Sequence, residues 1–246
     1  MTNLPFFQAI APNDEMAVAN RMRDLALLEF EMFSTKGDAA KFICMFLYSQ
    51  WLERTTKVLL TLYRRDVAPE RFDLATENKK QYHSFIKPLH EIWTLGSKKR
   101  IAPGFWPQAK SVLDNSDVRD LLNFVQAIAD AKVGRYSNLE TLAGNHENDG
   151  FMMGVSTILT TAATNRLGVD SARLDAGDFD VVAEHSQRFF SYLTNVLTFI
   201  LHFPIGQGVF GDKTRQLVAF QFNPTPPKLE VFEYLMNSGS SSSPTR

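Results

Sequence analysis

A chain of 246 residues with 26 basic and 27 acidic side chains carries a formal charge of −1, which excludes chain-wide attraction to a polyanion and confines any nucleic-acid binding to a local patch. A hydrophobic content of 44% is ordinary for a globular protein, and twenty Phe point to a core rich in aromatic contacts, in one large domain or two small ones. The one cysteine, Cys44, excludes an internal disulfide and reads as a packing residue in the apolar run Phe42 to Tyr48, so a reducing, cytoplasmic setting is expected.

The first ten residues lack the basic region and long apolar core of a signal peptide, and none is expected. Pro12-Asn13-Asp14-Glu15 supplies a helix start, with acids where the helix dipole favours them. A first helix is expected from Met16 to Phe33, with Val18, Met22, Leu25, Leu28 and Met32 along one face. Lys36-Gly37-Asp38 breaks it. The second helix is expected from Ala39 to about Arg65, with Phe42, Met45, Phe46, Leu52, Leu59 and Leu62 facing the core and Arg54, Thr55, Thr56 and Lys57 marking a wetter stretch.

A third helix is expected over Glu77 to Ile86, ended or kinked by Pro88, and Gly96 to Pro107 reads as a loop. Asn115-Ser116-Asp117 opens a helix from Val118 to about Lys132, and Ser137 to Glu140 matches a capping box. Phe151 to Thr164 is helical, closed by Gly168 and followed by an acidic loop from Asp170 to Asp180. Asp178 to Phe203 carries the strongest pattern: Phe189, Leu193, Val196 and Ile200 recur at helical spacing, and Tyr192, Leu197, Phe199 and Leu201 widen the stripe. No run reaches the ~18 uninterrupted apolar residues of a membrane span, so no membrane partner is expected.

Beyond Pro204 the pattern changes. Gln216 to Phe222, a Pro-rich turn at Asn223 to Pro227, and Lys228 to Tyr234 read as a β-hairpin, and the Ser-rich segment from Asn237 onward reads as disordered. The expected architecture is mainly α: a helical bundle over 1–204, a β-hairpin extension over 205–236 and a disordered tail over 237–246.

Among residues able to carry chemistry, the five histidines form no metal-binding spacing: there is no Glu-x-x-His and no His-Glu-x-x-His, and His83 and His90 are separated by Pro88. No metal and no cofactor is expected. Gly206-Gln207-Gly208-Val209-Phe210-Gly211 has the spelling of a dinucleotide-binding turn but follows a helix and leads toward an expected strand, the reverse of that motif's context. The acidic residues Asp170, Asp175, Asp178, Asp180 and Glu184 miss the calcium-loop spacing and suit a helix N-terminus. The clearest charge signal is Lys79 to Arg100, which gathers Lys79, Lys80, Lys87, Lys98, Lys99 and Arg100 against one acid, Glu91. Lys98-Lys99-Arg100 followed by Phe105 and Trp106 sets cations beside aromatic rings, the composition of single-stranded nucleic-acid sites. Lys98, Lys99, Arg100 and Trp106 are the candidate nucleic-acid-binding residues.

Two stretches together resemble HEPN domains, helical bundles associated with RNA cleavage or with nucleotidyltransferase partners. Ala39 to Phe42 through Trp51 to Leu60 resembles the first core helix, with Glu53 followed by Lys57 and an apolar run. Ala163-Thr164-Asn165-Arg166-Leu167, the acidic loop and Phe179 to Ile200 resemble the arginine-bearing helix end and the final helix. Active members carry Arg and then His after four to six residues. Arg166 has no histidine before His185 and Arg135 none before His146, so the resemblance, which covers about half the chain, implies a member without the catalytic signature.

The expectation is a non-catalytic HEPN-like protein that binds RNA or a partner protein, with self-association left open. The enzyme alternative is a metal-independent ribonuclease in which Arg166 stabilises phosphate charge and His146 or His185 is the general acid or base. The third is a structural or assembly protein that pairs the edge of its C-terminal hairpin with another subunit.

Overall fold

The computed structural model describes residues 12–31, 38–67, 69–71, 84–98, 102–129, 149–167, 179–206 and 225–237. Eight α-helices lie there: α1 Pro12–Glu31, α2 Asp38–Val67, α3 Ile86–Lys98, α4 Phe105–Asp114, α5 Ser116–Ala129, α6 Asp149–Leu167, α7 Phe179–Gly206 and α8 Leu229–Met236, with a 3₁₀ turn at Pro69–Arg71. No strand occurs among the described residues, so the mainly helical expectation holds.

α1 packs along α2, and the two run antiparallel. Glu15 pairs with Arg54, Arg23 lies close enough to Tyr48 to act on its hydroxyl, and Glu29 acts on the Cys44 thiol. α7 lies against α6, α3, α1 and α2, while α8 rests on α4 and α7. The core is aromatic as the Phe count suggests. Phe30 stacks on Phe190 with ring centroids 4.4 Å apart, Tyr48 meets Phe190 and Trp51, and Phe105 meets Phe199 and Phe232.

The α7 stripe is largely as expected: Phe189, Leu193, Val196, Leu197, Phe199, Ile200 and Leu201 are fully buried, and Tyr192 is half-buried against the core. In α2, Met45, Leu52, Leu59 and Leu62 are buried as expected, but so are Thr55 and Thr56 of the stretch read as wet. α1 turns a different face inward. Met16, Ala19, Arg23, Ala26 and Phe30 are buried, whereas Val18 and Leu28 are 41% and 49% exposed. Small Ala19 and Ala26 allow α1 to approach α2 closely, and Arg23 in the seam hides the apolar period from a reader of the sequence.

Three further expectations are corrected. Pro88 lies in the first turn of α3 rather than at the end of a helix. That turn has no intrahelical acceptors for its N–H groups, so a proline costs nothing there. Gln126 Oε1 of α5 instead accepts from the Phe85 and Ile86 N–H groups at 2.7 and 3.3 Å. The stretch Gly96 to Pro107 is not one loop: Gly96 to Lys98 close α3, and Phe105 opens α4 after the turn at Ala102 to Gly104. Ala102 adopts φ 50°, in the left-handed region, and its carbonyl accepts from Phe105 N–H at 2.9 Å.

The second arm of the expected β-hairpin is the helix α8. Val231, Phe232 and Leu235 form an i, i+1, i+4 apolar face that is buried, and burying that face against α4 and α7 outweighs a partial period-two alternation. The first arm, Gln216 to Phe222, lies outside the described residues, as do 238–246, Ser137 to Glu140 and the 77–83 part of the expected third helix.

Candidate nucleic-acid interface

Asn115 joins α4 to α5. Its N–H donates to the Val112 carbonyl at the end of α4, and its side-chain oxygen accepts from Asp117 N–H at 3.1 Å and Val118 N–H at 3.4 Å at the start of α5. Between α3 and α4 lies a surface groove of 610 Å³ lined by Trp93, Ser97, Pro103, Trp106, Pro107 and Lys110. Trp93 Nε1 donates to the Trp106 carbonyl at 3.1 Å, tying α3 to the first turn of α4. Phe105, beside them, meets the Trp106 ring edge-on at 5.0 Å and packs on Phe199 of α7 at 4.3 Å. The wall is therefore rooted in the core.

Lys98 is exposed at the C-terminal end of α3, on the element that supplies Trp93 and Ser97 to the groove. Lys99 and Arg100 lie outside the described residues. Trp106 does not present a ring face to solvent. It is 4% exposed, and its ring lies so close over Gly96 that a Cβ there would sit 2.6 Å from Cζ2. The half-buried indole is Trp93, and the second cation at the groove is Lys110, ion-paired on the surface with Asp114. The sequence pattern singles out neither. A helix-long pairing of residues 93 and 97 with 106, 107 and 110 follows only once Phe105–Asp114 is recognised as a helix.

The other candidates lie elsewhere. Arg166, in the last turn of α6, is enclosed: it donates to Asp117 Oδ2 at 2.6 Å, to the Ala162 carbonyl at 2.7 Å and to the Leu235 carbonyl at 2.7 Å. Its guanidinium also lies 4.2 Å from the Phe189 ring centroid. Asn165 Nδ2 donates to the other Asp117 oxygen at 3.0 Å. His185 of α7 has Nδ1 3.0 Å from the Tyr234 hydroxyl, which also donates to the His185 carbonyl. Burial first, then the nearby Arg188, lowers the His185 pKa below its ordinary value, and burial pushes Tyr234 up to about 12. Arg166 and His185 thus converge on adjacent residues of α8, and both hold that helix in place. His146 lies outside the described residues.

Among the described residues, no group of three or more His, Cys, Asp and Glu side chains could hold a metal ion. No helix there is long and apolar enough to cross a membrane. No family model, no curated protein and no solved structure matches the chain.

Proposed function

We propose that the protein is a non-catalytic, HEPN-like helical module of the cytoplasm that binds single-stranded RNA in the groove between α3 and α4. The observation that carries this reading is the groove's lining: a half-buried indole, Trp93, together with Pro103, Pro107 and Lys110, with Lys98 at the end of Trp93's own helix. A base stacks on Trp93, sequence-tolerantly because every base has a π-face, and the two lysines meet phosphates on either side. The non-catalytic part is supported by Arg166, whose guanidinium is committed to Asp117, two carbonyls and an aromatic face. A charge so enclosed is not free to meet a scissile phosphate.

The test is a mobility-shift and cleavage assay with labelled single-stranded RNA in EDTA across a salt series. The expected result is binding without cleavage, weakening as salt rises. Lys98→Glu with Lys110→Glu should lower the dependence of log K on log salt by about 0.7 for each phosphate no longer neutralised. Trp93→Ala should weaken binding by about 1–3 kcal/mol. Cleavage abolished in Arg166→Lys, with the fold intact, would replace this reading with the ribonuclease. An absent shift, or one indifferent to all three substitutions, would overturn it and move the search to a protein partner.

A further inference from the structure

Where α1, α2 and α7 meet, the interior carries polar groups among its apolar and aromatic side chains. Arg23 of α1 is 9% exposed, Tyr48, Trp51 and Thr55 of α2 are fully buried, and Thr194, Thr198 and His202 of α7 are at most 5% exposed. Some of these groups meet across the helices. The hydroxyls of Tyr48 and Thr194 are 3.1 Å apart, and Arg23 acts electrostatically on both Tyr48 and His202. The antiparallel register that pairs Glu15 with Arg54 and sets Arg23 beside Tyr48 brings Asn20 level with Trp51. Thr55 follows Trp51 by one helical turn on the same side of α2.

Two hydroxyls in this region bond carbonyls of their own helix. Thr56 donates to the Leu52 carbonyl at 2.7 Å, and Thr194 bonds the Phe190 carbonyl at 2.8 Å. Three buried polar atoms do not: Trp51 Nε1, Thr55 Oγ1 and Asn20 Oδ1 have no hydrogen-bond partner among the described residues. Leaving such groups unmade is costly in an interior, and native proteins resolve the cost with protein or with ordered water. The set is chemically mixed. An indole N–H only donates, an amide oxygen only accepts, and a hydroxyl does both. An anion would suit the first and repel the second, and a cation the reverse. The guest that suits all three is small and amphiprotic.

We infer that the junction of α1, α2 and α7 is an internal water site, in which ordered water accepts from Trp51 Nε1, donates to Asn20 Oδ1 and bonds the Thr55 hydroxyl. The site is independent of the surface groove.

Two measurements test this. In the folded protein, a nuclear Overhauser cross-peak from slowly exchanging water to the Trp51 indole N–H is expected, identified by its loss in Trp51→Phe or, if that variant does not fold, by its disappearance on unfolding. Thr55→Val keeps the side-chain shape and removes the hydroxyl, and should lower the thermal midpoint by about 2–4 °C because a hydrogen-bonded group has been removed. A Thr55 hydroxyl with nothing to bond would give the opposite sign, since valine would relieve an unmet polar group. A missing cross-peak in the folded protein, or a midpoint raised by Thr55→Val, overturns the inference.

Discussion

Arg166 and Asp117, 49 positions apart in the chain, form a 2.6 Å ion pair closed off from solvent, the guanidinium 0% and the carboxylate 7% exposed. Charges in such a place are tolerated because they are paired with each other and hydrogen-bonded further, although Arg166 Nε has no partner among the described residues. Asn165 takes the second carboxylate oxygen, and two carbonyls take further guanidinium protons. The pair links α5 to α6 and, through Leu235, both to α8.

Removing one partner leaves the other charged and buried. Arg166→Ala is expected to destabilise the fold by about 3–5 kcal/mol, and Asp117→Ala by a similar amount. The double variant Asp117→Leu with Arg166→Met removes both charges and should cost clearly less than the sum of the single changes. Urea unfolding of the four proteins measures the cycle, and additive losses would show that the charges do not act as a pair.

Gly96 of α3 lies against the indole of Trp106, which lines the groove. A methyl at position 96 overlaps the indole, and Gly96→Ala is expected to destabilise by about 1–3 kcal/mol through overpacking. It should also change the near-ultraviolet circular dichroism of the tryptophans. Wild-type stability together with an unchanged spectrum would mean the indole yields without consequence.

The acid side of the stability profile should carry a mark from His202. Burial first, and the Arg23 charge second, lower its pKa from an ordinary 6.5 to about 3. Between those values the unfolded chain binds a proton that the folded chain refuses. The stabilisation is thus whole above pH 6.5 and is lost as pH falls toward 3, at up to about 1.4 kcal/mol per pH unit. Urea midpoints of the wild type and His202→Gln, compared from pH 7.5 to 5, should draw together as the pH falls. Parallel profiles would exclude the histidine as their source.

Cys44 is fully buried, and burial followed by the charge of Glu29 pushes its thiol well above the ordinary range. A thiol reagent at neutral pH should label it at the rate of opening of the fold and promptly in denaturant. Fast labelling of the native protein would show that α1 and α2 separate readily.

What can be read from the sequence follows burial. α2 and α7 announce themselves because apolar residues recur at helical spacing over many turns, despite Thr55 and Thr56 on the buried side of α2, so Leu52, Leu59, Leu193 and Ile200 are found where the period puts them. The pattern of α1 points to the wrong face because Arg23 occupies a seam position and the residues beside it are alanines, which carry little hydrophobic signal. α4 is hidden in the sequence because its cues are tertiary. Pro107 in a first turn, a left-handed Ala102 and Phe105 packed on Phe199 make sense only with α7 present. The same applies to the candidate site. Lys98 and Trp106 stand out by composition, but the half-exposed ring and the second lysine, Trp93 and Lys110, follow from how α3 and α4 lie together.

The clasp on α8 reads position rather than identity. Arg166 grips a main-chain carbonyl at Leu235, which any residue would supply. The side chain at 235 can therefore vary within what the core accepts without loosening that grip. A single residue inserted within α8 before it, by contrast, would swing that carbonyl by about 100° around the helix axis and out of the guanidinium's reach. This end of the molecule should tolerate substitution far better than a change of length.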